Sequence, residues 1–185
     1  ELGSLLTDLC GLEGLSGVFV TATCNRFEVY GSGGAGEPLM DAVEAWLRER
    51  SGKKDLTGTI YRYGDELALR HLFRVASSLD SMVLGEPQIL GQIKSSYAAA
   101  CDLGAADALI NRCVSRALAV AKRVRTDTGI ARQPVSIPQV SIQLAQKVFG
   151  DLTGHSVLLV GAGEMIELAA RALRAQGTGQ VHVAN

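Results

Sequence analysis

The chain has 185 residues, of which 47% are hydrophobic and 20% are charged, and its formal net charge is −1. This length suffices for one domain and part of a second, and the hydrophobic fraction is ample for a buried core. The longest run without a charged residue, residues 133–146, is fourteen residues long and contains two prolines, which excludes a membrane span.

Cysteine usage and the chain start indicate a cellular compartment. The four cysteines (Cys10, Cys24, Cys101 and Cys113) form no C-x-x-C pair, so we expect no metal site and a reduced, cytoplasmic protein. The start lacks the basic segment and apolar block of a signal peptide. Because the chain begins with glutamate and stops at VHVAN, we expect it to be part of a longer protein.

Two strands are predicted near the start, with a cysteine between them. Residues 18–23 (VFVTAT) are β-branched and aromatic, and the alternating FEVY of residues 27–30 resumes the strand pattern. Cys24 lies at the junction. It is either a small core hydrophobe or a nucleophile beside which Arg26 orients an anionic substrate.

Four helices are predicted next. Residues 37–50 have amphipathic spacing and follow a glycine-rich loop, GSGGAG. Asp65 is a good N-cap for a helix over 66–79. Pro87 can start a third helix, which would place Gln88 and Gln92 on one face. The fourth covers residues 107–125, and Cys10, Cys101 and Cys113 are expected to be packing residues.

The fourth helix carries the main charge concentration of the chain. Residues 111–132 contain six basic residues and one acidic residue, and helical geometry places three of the arginines within about 40° of one another. These are Arg112, Arg116 and Arg123. The stripe is either a solvated helix face or a surface that binds nucleic-acid phosphates.

The last part of the chain has a dinucleotide-binding pattern. Pro134 and Pro138 mark a joint, and VSIQLAQKVF predicts a helix that ends at Gly150. An apolar strand over 157–160, a glycine turn, an alanine-rich helix and a second strand then predict a βαβ unit. The cofactor-binding residues would be Gly161, Ala162, Gly163, Glu164, Met165 and Ile166, and Ile166 replaces the usual third glycine. The residues do not distinguish NADH from NADPH.

Four stretches in this order resemble the glutamyl-tRNA reductases: TCNRFEVY, RHLFRVASSLDSMVLGEPQILGQIK, AKRVRTDTGIA and VLLVGAGEM. The resemblance implies an α/β fold in which an α+β catalytic domain (1–133) recognises glutamyl-tRNA. A linker helix (134–150) and the first βαβ of a Rossmann-type NADPH domain (151–185) would follow. It also implies NADPH-dependent reduction of glutamyl-tRNA to glutamate-1-semialdehyde through a cysteine thioester, an oxidoreductase step of tetrapyrrole (porphyrin) biosynthesis.

The resemblance also implies a set of site residues. Cys24 would be the nucleophile and His71 would assist catalysis. The alternative is that His71 is only a helix residue at the rim of the core. Substrate-binding positions would be Thr23, Asn25, Arg26, Ser81, Glu86, Pro87, Gln88 and Gln92. Arg26 would contact the substrate carboxylate and Glu86 its α-ammonium group. Ser78 departs from the pattern, because the family usually has glycine there.

Expected partners and rival functions complete the prediction. The family implies a homodimer formed through a C-terminal domain absent from this chain, and transfer of the aldehyde to an aminomutase. One rival is a cysteine-dependent dehydrogenase for a small acyl thioester, which would not need the basic stripe. The other is a non-catalytic paralogue that binds tRNA or nucleotide.

Overall fold

The computed structural model describes residues 2–23, 25–34, 36–53, 55–131 and 136–185. The chain divides into two compact units, residues 1–132 and residues 133–185. The first unit contains α1 (Leu2–Cys10), β1 (Leu15–Ala22), β2 (Phe27–Gly33), α2 (Gly36–Ser51), α3 (Asp65–Ala76), α4 (Pro87–Asp102), α5 (Ala108–Asp127) and a 3-10 turn (Gly129–Ala131). The second contains α6 (Ile137–Phe149), β3 (Val157–Val160), α7 (Glu164–Ala175) and β4 (Val181–Ala184).

The antiparallel hairpin of β1 and β2 organises the first unit. Its register pairs Phe19 with Tyr30 and Thr21 with Glu28, so these four side chains share one face. That face packs on α3, α4 and α5, where Leu72, Ile93 and Val114 are among the buried residues. The opposite face, with Val18 and Val20, packs on Leu6 and Leu9 of α1. The hairpin therefore separates two apolar clusters and brings polar residues next to the α3–α5 layer.

The segment between α3 and α4 (residues 77–86) is held by backbone geometry and by α5. Ser78 has φ +56° and is buried, and its hydroxyl donates to the Glu86 carbonyl at 2.8 Å. Arg125 donates to the Gly85 carbonyl at 3.2 Å. Gly85 has φ +81°, and a Cβ atom there would lie 2.2 Å from the Ile130 carbonyl oxygen. Only glycine fits at this close approach.

The second unit contains the predicted βαβ arrangement. β3 and β4 pair in parallel, with Val157 opposite Val181, and α7 connects them. Leu173 of α7 is buried with Ile142 of α6. The predicted fold class is confirmed: an α+β unit is followed by the start of a Rossmann-type unit. Helix α6 lies within the second compact unit.

Several predicted element ends differ from the structure. Asp65 is the first residue of α3, not its N-cap, because Gly64 takes that position and accepts the amides of Leu67 and Ala68. The same helix ends at Ala76 and not at residue 79, because Ser78 has a left-handed backbone that cannot continue the helix. Part of the predicted glycine-rich loop, residues 31–33, is strand, since it pairs with β1.

Two cysteines also differ from the prediction. Cys10 and Cys101 are exposed, because each lies one residue beyond a buried position of its helix and so points about 100° away from the core. Cys113 is partly buried against the core, as expected for a packing residue. In the described part of the chain, no helix is long and apolar enough to cross a membrane.

Candidate active site

The turn between β1 and β2 is fixed by Thr23. Its hydroxyl accepts the backbone amides of Asn25 at 3.2 Å and Arg26 at 3.1 Å, and its own amide donates to the Arg26 carbonyl at 2.8 Å. A threonine that bonds the amides two and three residues on stabilises a turn. The predicted nucleophile, Cys24, lies outside the described residues. Its two chain neighbours are thus held by a local hydrogen-bond network.

Arg26 connects the hairpin to the segment after α3. Its Nη1 donates to Asp80 Oδ2 at 2.9 Å and to Glu28 Oε1 at 3.2 Å, and its Nη2 donates to the Asp80 backbone carbonyl. Burial opposes the charge of Arg26, but these acidic partners outweigh it and raise its pKa. The same pairing holds the pKa of Asp80 below its ordinary value, and Arg74 adds to it from 3.5 Å.

Glu28 is the centre of this polar group. It is 6% exposed, and its carboxylate accepts the hydroxyl of Tyr30 at 2.6 Å, the hydroxyl of Tyr61, and a contact from His71 Nε2 at 2.7 Å. Burial by itself would raise the pKa of Glu28. The hydrogen bonds from Tyr30, Tyr61 and His71 outweigh burial and lower the pKa. Glu28 is therefore a buried carboxylate with a full set of donors.

His71, on α3, is surrounded by aromatic rings from the segment that precedes this helix. The ring centroids of Tyr61 and Tyr63 are 5.4 and 5.0 Å from that of His71. Its Nδ1 atom is 4.0 Å from Asp80 Oδ2. The side chain is only 12% exposed, so its environment is protein and not bulk water. We refer below to Arg26, Glu28, His71 and Asp80 as the polar cluster.

The second predicted substrate block has unpaired acceptors. Glu86 is 4% exposed, and its Oε1 has no hydrogen-bond partner among the described residues, as is also true of Gln92 Oε1 and Thr21 Oγ1. Burial raises the pKa of Glu86. Unpaired buried acceptors are costly, so a ligand that donates hydrogen bonds there would be favoured. Ser81 and Gln88 are half-buried and Pro87, the first residue of α4, is exposed.

The structure brings together only part of the predicted set. Arg26 and His71 share Glu28 and Asp80 as partners. In residues 2–23, 25–34 and 55–131, no side chain of the second block bonds to this cluster. Sequence reasoning missed Glu28, Tyr61 and Asp80. Glu28 could have been found, because strand alternation places it on the same face as Tyr30 and opposite Thr21, inside the core.

The arginine stripe lies on the outward face of α5. Arg112, Arg116 and Arg123 are all exposed, whereas Ile110, Val114, Ala117 and Ala121 form the buried face. Arg123 pairs weakly with Asp127 one turn on, at 3.6 Å. The stripe is thus available to a ligand, and a solvated face would have the same exposure.

The glycine turn of the second unit fits the pyrophosphate of a dinucleotide. Gly161 has φ +124°, and α7 begins after Gly163, which provides no side-chain cap for the first-turn amides. A Cβ atom on Gly163 would meet nothing within 4 Å, so a ligand can approach the backbone. Ile166 fills the place of the third glycine, with its side chain 3.3 Å from where a Cβ of Gly161 would lie.

The fold and the site define a class of two-domain proteins. An α+β domain contains a buried cluster of charged residues, and the beginning of a Rossmann-type domain follows it. The sequence model of the N-terminal domain of glutamyl-tRNA(Glu) reductase matches residues 1–128, and that of shikimate/quinate 5-dehydrogenase matches residues 143–185. The chain belongs to the glutamyl-tRNA reductase family.

Individual relatives agree with this assignment. Glutamyl-tRNA reductase from Syntrophotalea carbinolica is 46% identical over 99% of this chain and 42% of its own length. The reductase from Syntrophus aciditrophicus is 50% identical over 89% of this chain and 40% of its own. The solved glutamyl-tRNA reductase from Methanopyrus kandleri has a TM-score of 0.62 and 37% identity, covering 100% of this chain and 44% of its own. The chain thus spans less than half the length of these relatives.

Proposed function

We propose that this chain carries the substrate-activating part of an NADPH-dependent glutamyl-tRNA reductase, which forms glutamate-1-semialdehyde for tetrapyrrole biosynthesis. The observation that supports this most directly is the polar cluster. It joins Arg26 and His71, from different segments, beside the turn that carries Cys24 in the sequence. The relatives are named for this reaction.

Recognition of the glutamyl group would use both substrate blocks. Arg26 has further N–H donors besides those on Asp80 and Glu28, and could bind the side-chain carboxylate of the substrate. Glu86, with its unpaired buried Oε1, is suited to the α-ammonium group. The unpaired Oε1 of Gln92 is a second acceptor for that group. Thr23, Asn25, Ser81, Pro87 and Gln88 would complete the binding surface.

The chemistry proposed for this site proceeds through a thioester. The Cys24 sulfur would attack the ester carbonyl of glutamyl-tRNA, forming a C–S bond while the C–O bond to the terminal ribose breaks. The thiol proton would pass to the ribose oxygen, with His71 as its carrier. When bound, NADPH supplies the hydride that reduces the thioester carbonyl. The C–S bond then breaks, which releases the aldehyde and returns the cysteine sulfur.

The second unit would bind the cofactor through its glycine turn. The proposed contacts are the backbone of residues 161–166, and the open amide end of α7 would hold the pyrophosphate. The choice of NADPH over NADH follows the family resemblance. The proposed domains keep the limits predicted from the sequence: 1–133 catalytic, 134–150 linker and 151–185 cofactor-binding.

The proposed partners follow from the same assignment. The arginine stripe on α5 would bind tRNA phosphates. A C-terminal domain would form a homodimer, the aldehyde would pass to an aminomutase, and the protein would work in the cytoplasm.

The decisive experiment is a search for an acyl adduct. Full-length protein is incubated with glutamyl-tRNA without NADPH, and peptides are analysed by mass spectrometry. We expect a glutamyl group on Cys24, absent in Cys24→Ser and discharged to aldehyde by NADPH. A bound tRNA without any adduct would contradict the proposal and favour a binding paralogue. Equal activity on a short aminoacyl ester would favour the small-substrate dehydrogenase.

A further inference from the structure

The hydrogen bonds of Glu28 decide which nitrogen of His71 carries hydrogen. Glu28 Oε1 also accepts from Arg26 Nη1, while Oε2 accepts from Tyr30. An ionised carboxylate can only accept hydrogen bonds. The lowered pKa of Glu28 keeps it ionised at neutral pH. His71 Nε2, 2.7 Å from Glu28 Oε1, must therefore be the donor in this pair.

The neighbouring tyrosines do not change this assignment. Burial and the Glu28 charge raise the pKa of Tyr30 and of Tyr61, so both hydroxyls remain protonated and donate to Glu28. Neither hydroxyl competes with Glu28 as the acceptor of the His71 Nε2 hydrogen. The aromatic rings of Tyr61 and Tyr63 flank the imidazole and restrict its rotation.

The other ring nitrogen, Nδ1, has no hydrogen-bond partner in the part of the chain that the structure describes. A neutral imidazole with hydrogen on Nε2 has a lone pair on Nδ1. Nδ1 lies 4.0 Å from Asp80 Oδ2, beyond hydrogen-bond distance. Asp80 is itself engaged by Arg26. If Nδ1 gains a proton, the carboxylate of Asp80 lies close enough to stabilise the resulting imidazolium.

We infer that Glu28 is a positioning residue that fixes His71 in the Nε2–H tautomer, so that Nδ1 is the atom that exchanges protons during the reaction. The proton exchange rests on the proposed function. The tautomer does not, because it follows from the contacts of the folded chain alone. Tyr61 supports the same arrangement through its hydrogen bond to Glu28.

The tautomer can be read by nuclear magnetic resonance. In full-length protein labelled with ¹⁵N-histidine, the ring signals of His71 are the ones that a His71→Gln variant loses. At a pH where His71 is neutral, we expect hydrogen on Nε2 and a lone pair on Nδ1. In Glu28→Gln the acceptor is neutral and weaker, so we expect the Nε2 hydrogen to exchange with water at least about tenfold faster. Hydrogen on Nδ1, or an unchanged exchange rate in a folded Glu28→Gln variant, would overturn the inference.

A matched pair of tyrosine variants independently tests whether Glu28 orients His71. Tyr61→Phe removes a donor to Glu28, whereas Tyr63→Phe removes a hydroxyl that has no bond within residues 55–131. We expect the ¹⁵N chemical shifts of the His71 ring to change in Tyr61→Phe and to stay the same in Tyr63→Phe. Equal shifts in both would show that ring packing, and not Glu28, orients His71. If Glu28→Gln does not fold, the wild-type tautomer and this pair decide the inference.

Kinetics of the full-length protein separate the two proposals. We expect Glu28→Gln to lower kcat for aldehyde formation by about 10²-fold, with KM within about threefold, as for loss of positioned acid–base catalysis. An unchanged kcat would overturn the proton-exchange role. The inferred tautomer in a protein inactive on glutamyl-tRNA would overturn the proposed function but support positioning by Glu28. Activity together with hydrogen on Nδ1 would overturn the inference and leave the function supported.

Discussion

At the scale of single residues, Ser78 shows how one position combines strain and bonding. Its φ of +56° is the left-handed conformation, which glycine adopts without the steric cost that a side chain brings. The serine is nevertheless buried, and its hydroxyl bonds the Glu86 carbonyl at 2.8 Å. The hydrogen bond offsets the backbone strain at the start of the segment that carries Ser81 and Glu86.

Two substitutions at residue 78 separate these effects. Ser78→Gly relieves strain of roughly 1 kcal/mol and loses a hydrogen bond of about 1 kcal/mol, so we expect the free energy of unfolding to change by less than about 1 kcal/mol. Ser78→Ala keeps the strain and loses the bond, which should cost about 1–2 kcal/mol. Urea unfolding of both variants measures the difference. A Gly variant less stable than the Ala variant would contradict the strain argument.

Glu28 and Glu86 are buried carboxyl groups with opposite effects on pH stability. The pKa of Glu28 lies below its ordinary value of 4.5, so its contribution to stability is present above 4.5 and is lost as pH falls through the native pKa. The pKa of Glu86 is raised. Its contribution is therefore present at low pH and declines as pH rises from 4.5 through the native pKa.

Glutamine variants should show these opposite effects. We expect Glu28→Gln to flatten the loss of stability on the acid side of pH 4.5. Glu86→Gln should flatten the decline above pH 4.5 and make the protein more stable at neutral pH. Urea unfolding at a series of pH values measures both. The same pH response in the two variants would be inconsistent with these assignments.

At the scale of elements, the segment of residues 77–86 is positioned by its neighbours. Arg125 of α5 bonds the Gly85 carbonyl, and the 3-10 turn places the Ile130 carbonyl against Gly85. These contacts set where α4 begins, at Pro87, and so where the predicted substrate residues of α4 lie. The positions of these predicted substrate residues therefore depend on Arg125 and Ile130, which are not among the predicted substrate residues.

Two glycine substitutions test this support. Gly85→Ala would place a Cβ atom 2.2 Å from the Ile130 carbonyl oxygen at φ +81°, so we expect it to destabilise the protein by about 2 kcal/mol or more. Gly91→Ala, within α4, meets nothing within 4 Å and should stabilise by about 0.5–1 kcal/mol. Urea unfolding compares the two. Similar effects at both positions would show that the close approach is not restrictive.

At the scale of the whole molecule, the exposed basic stripe is what suggests a large anionic substrate. Its arginines are exposed on α5, opposite the buried face of the helix. Each lysine or arginine that contacts a phosphate makes binding weaker as salt increases. The salt dependence of tRNA binding therefore distinguishes a binding surface from a solvated face.

Charge reversal on the stripe should affect binding of glutamyl-tRNA. We expect Arg112→Glu and Arg116→Glu each to weaken binding by the full-length protein and to reduce the slope of log affinity against log salt by about 1. Lys53→Glu, at an exposed lysine that follows α2 in the chain, is the control and should change neither. Filter binding over a range of salt concentrations measures this. Equal slopes in all variants would indicate a solvated face.

Local patterns account for most elements predicted from the sequence. Alternation predicted the hairpin, helical spacing predicted α2 and α5, and Pro87 marked the start of α4. Errors came where local signals compete: Asp65 resembles a cap but lies inside the helix, and residues 31–33 resemble a loop but pair with β1. Glycine and aspartate preferences are weak compared with pairing across a sheet.

The sequence by itself determined the family, the βαβ unit and the candidate residues Arg26 and His71, because these depend on short motifs and local periodicity. Only the tertiary structure decided that Glu28 and Asp80 are the shared partners of Arg26 and His71. Asp80 is 54 residues from Arg26, and His71 is 43 residues from Glu28. Contacts at such separations depend on how the hairpin packs against the helices, and the hydrogen bonds formed there outweigh burial and lower the pKa of Glu28 and Asp80.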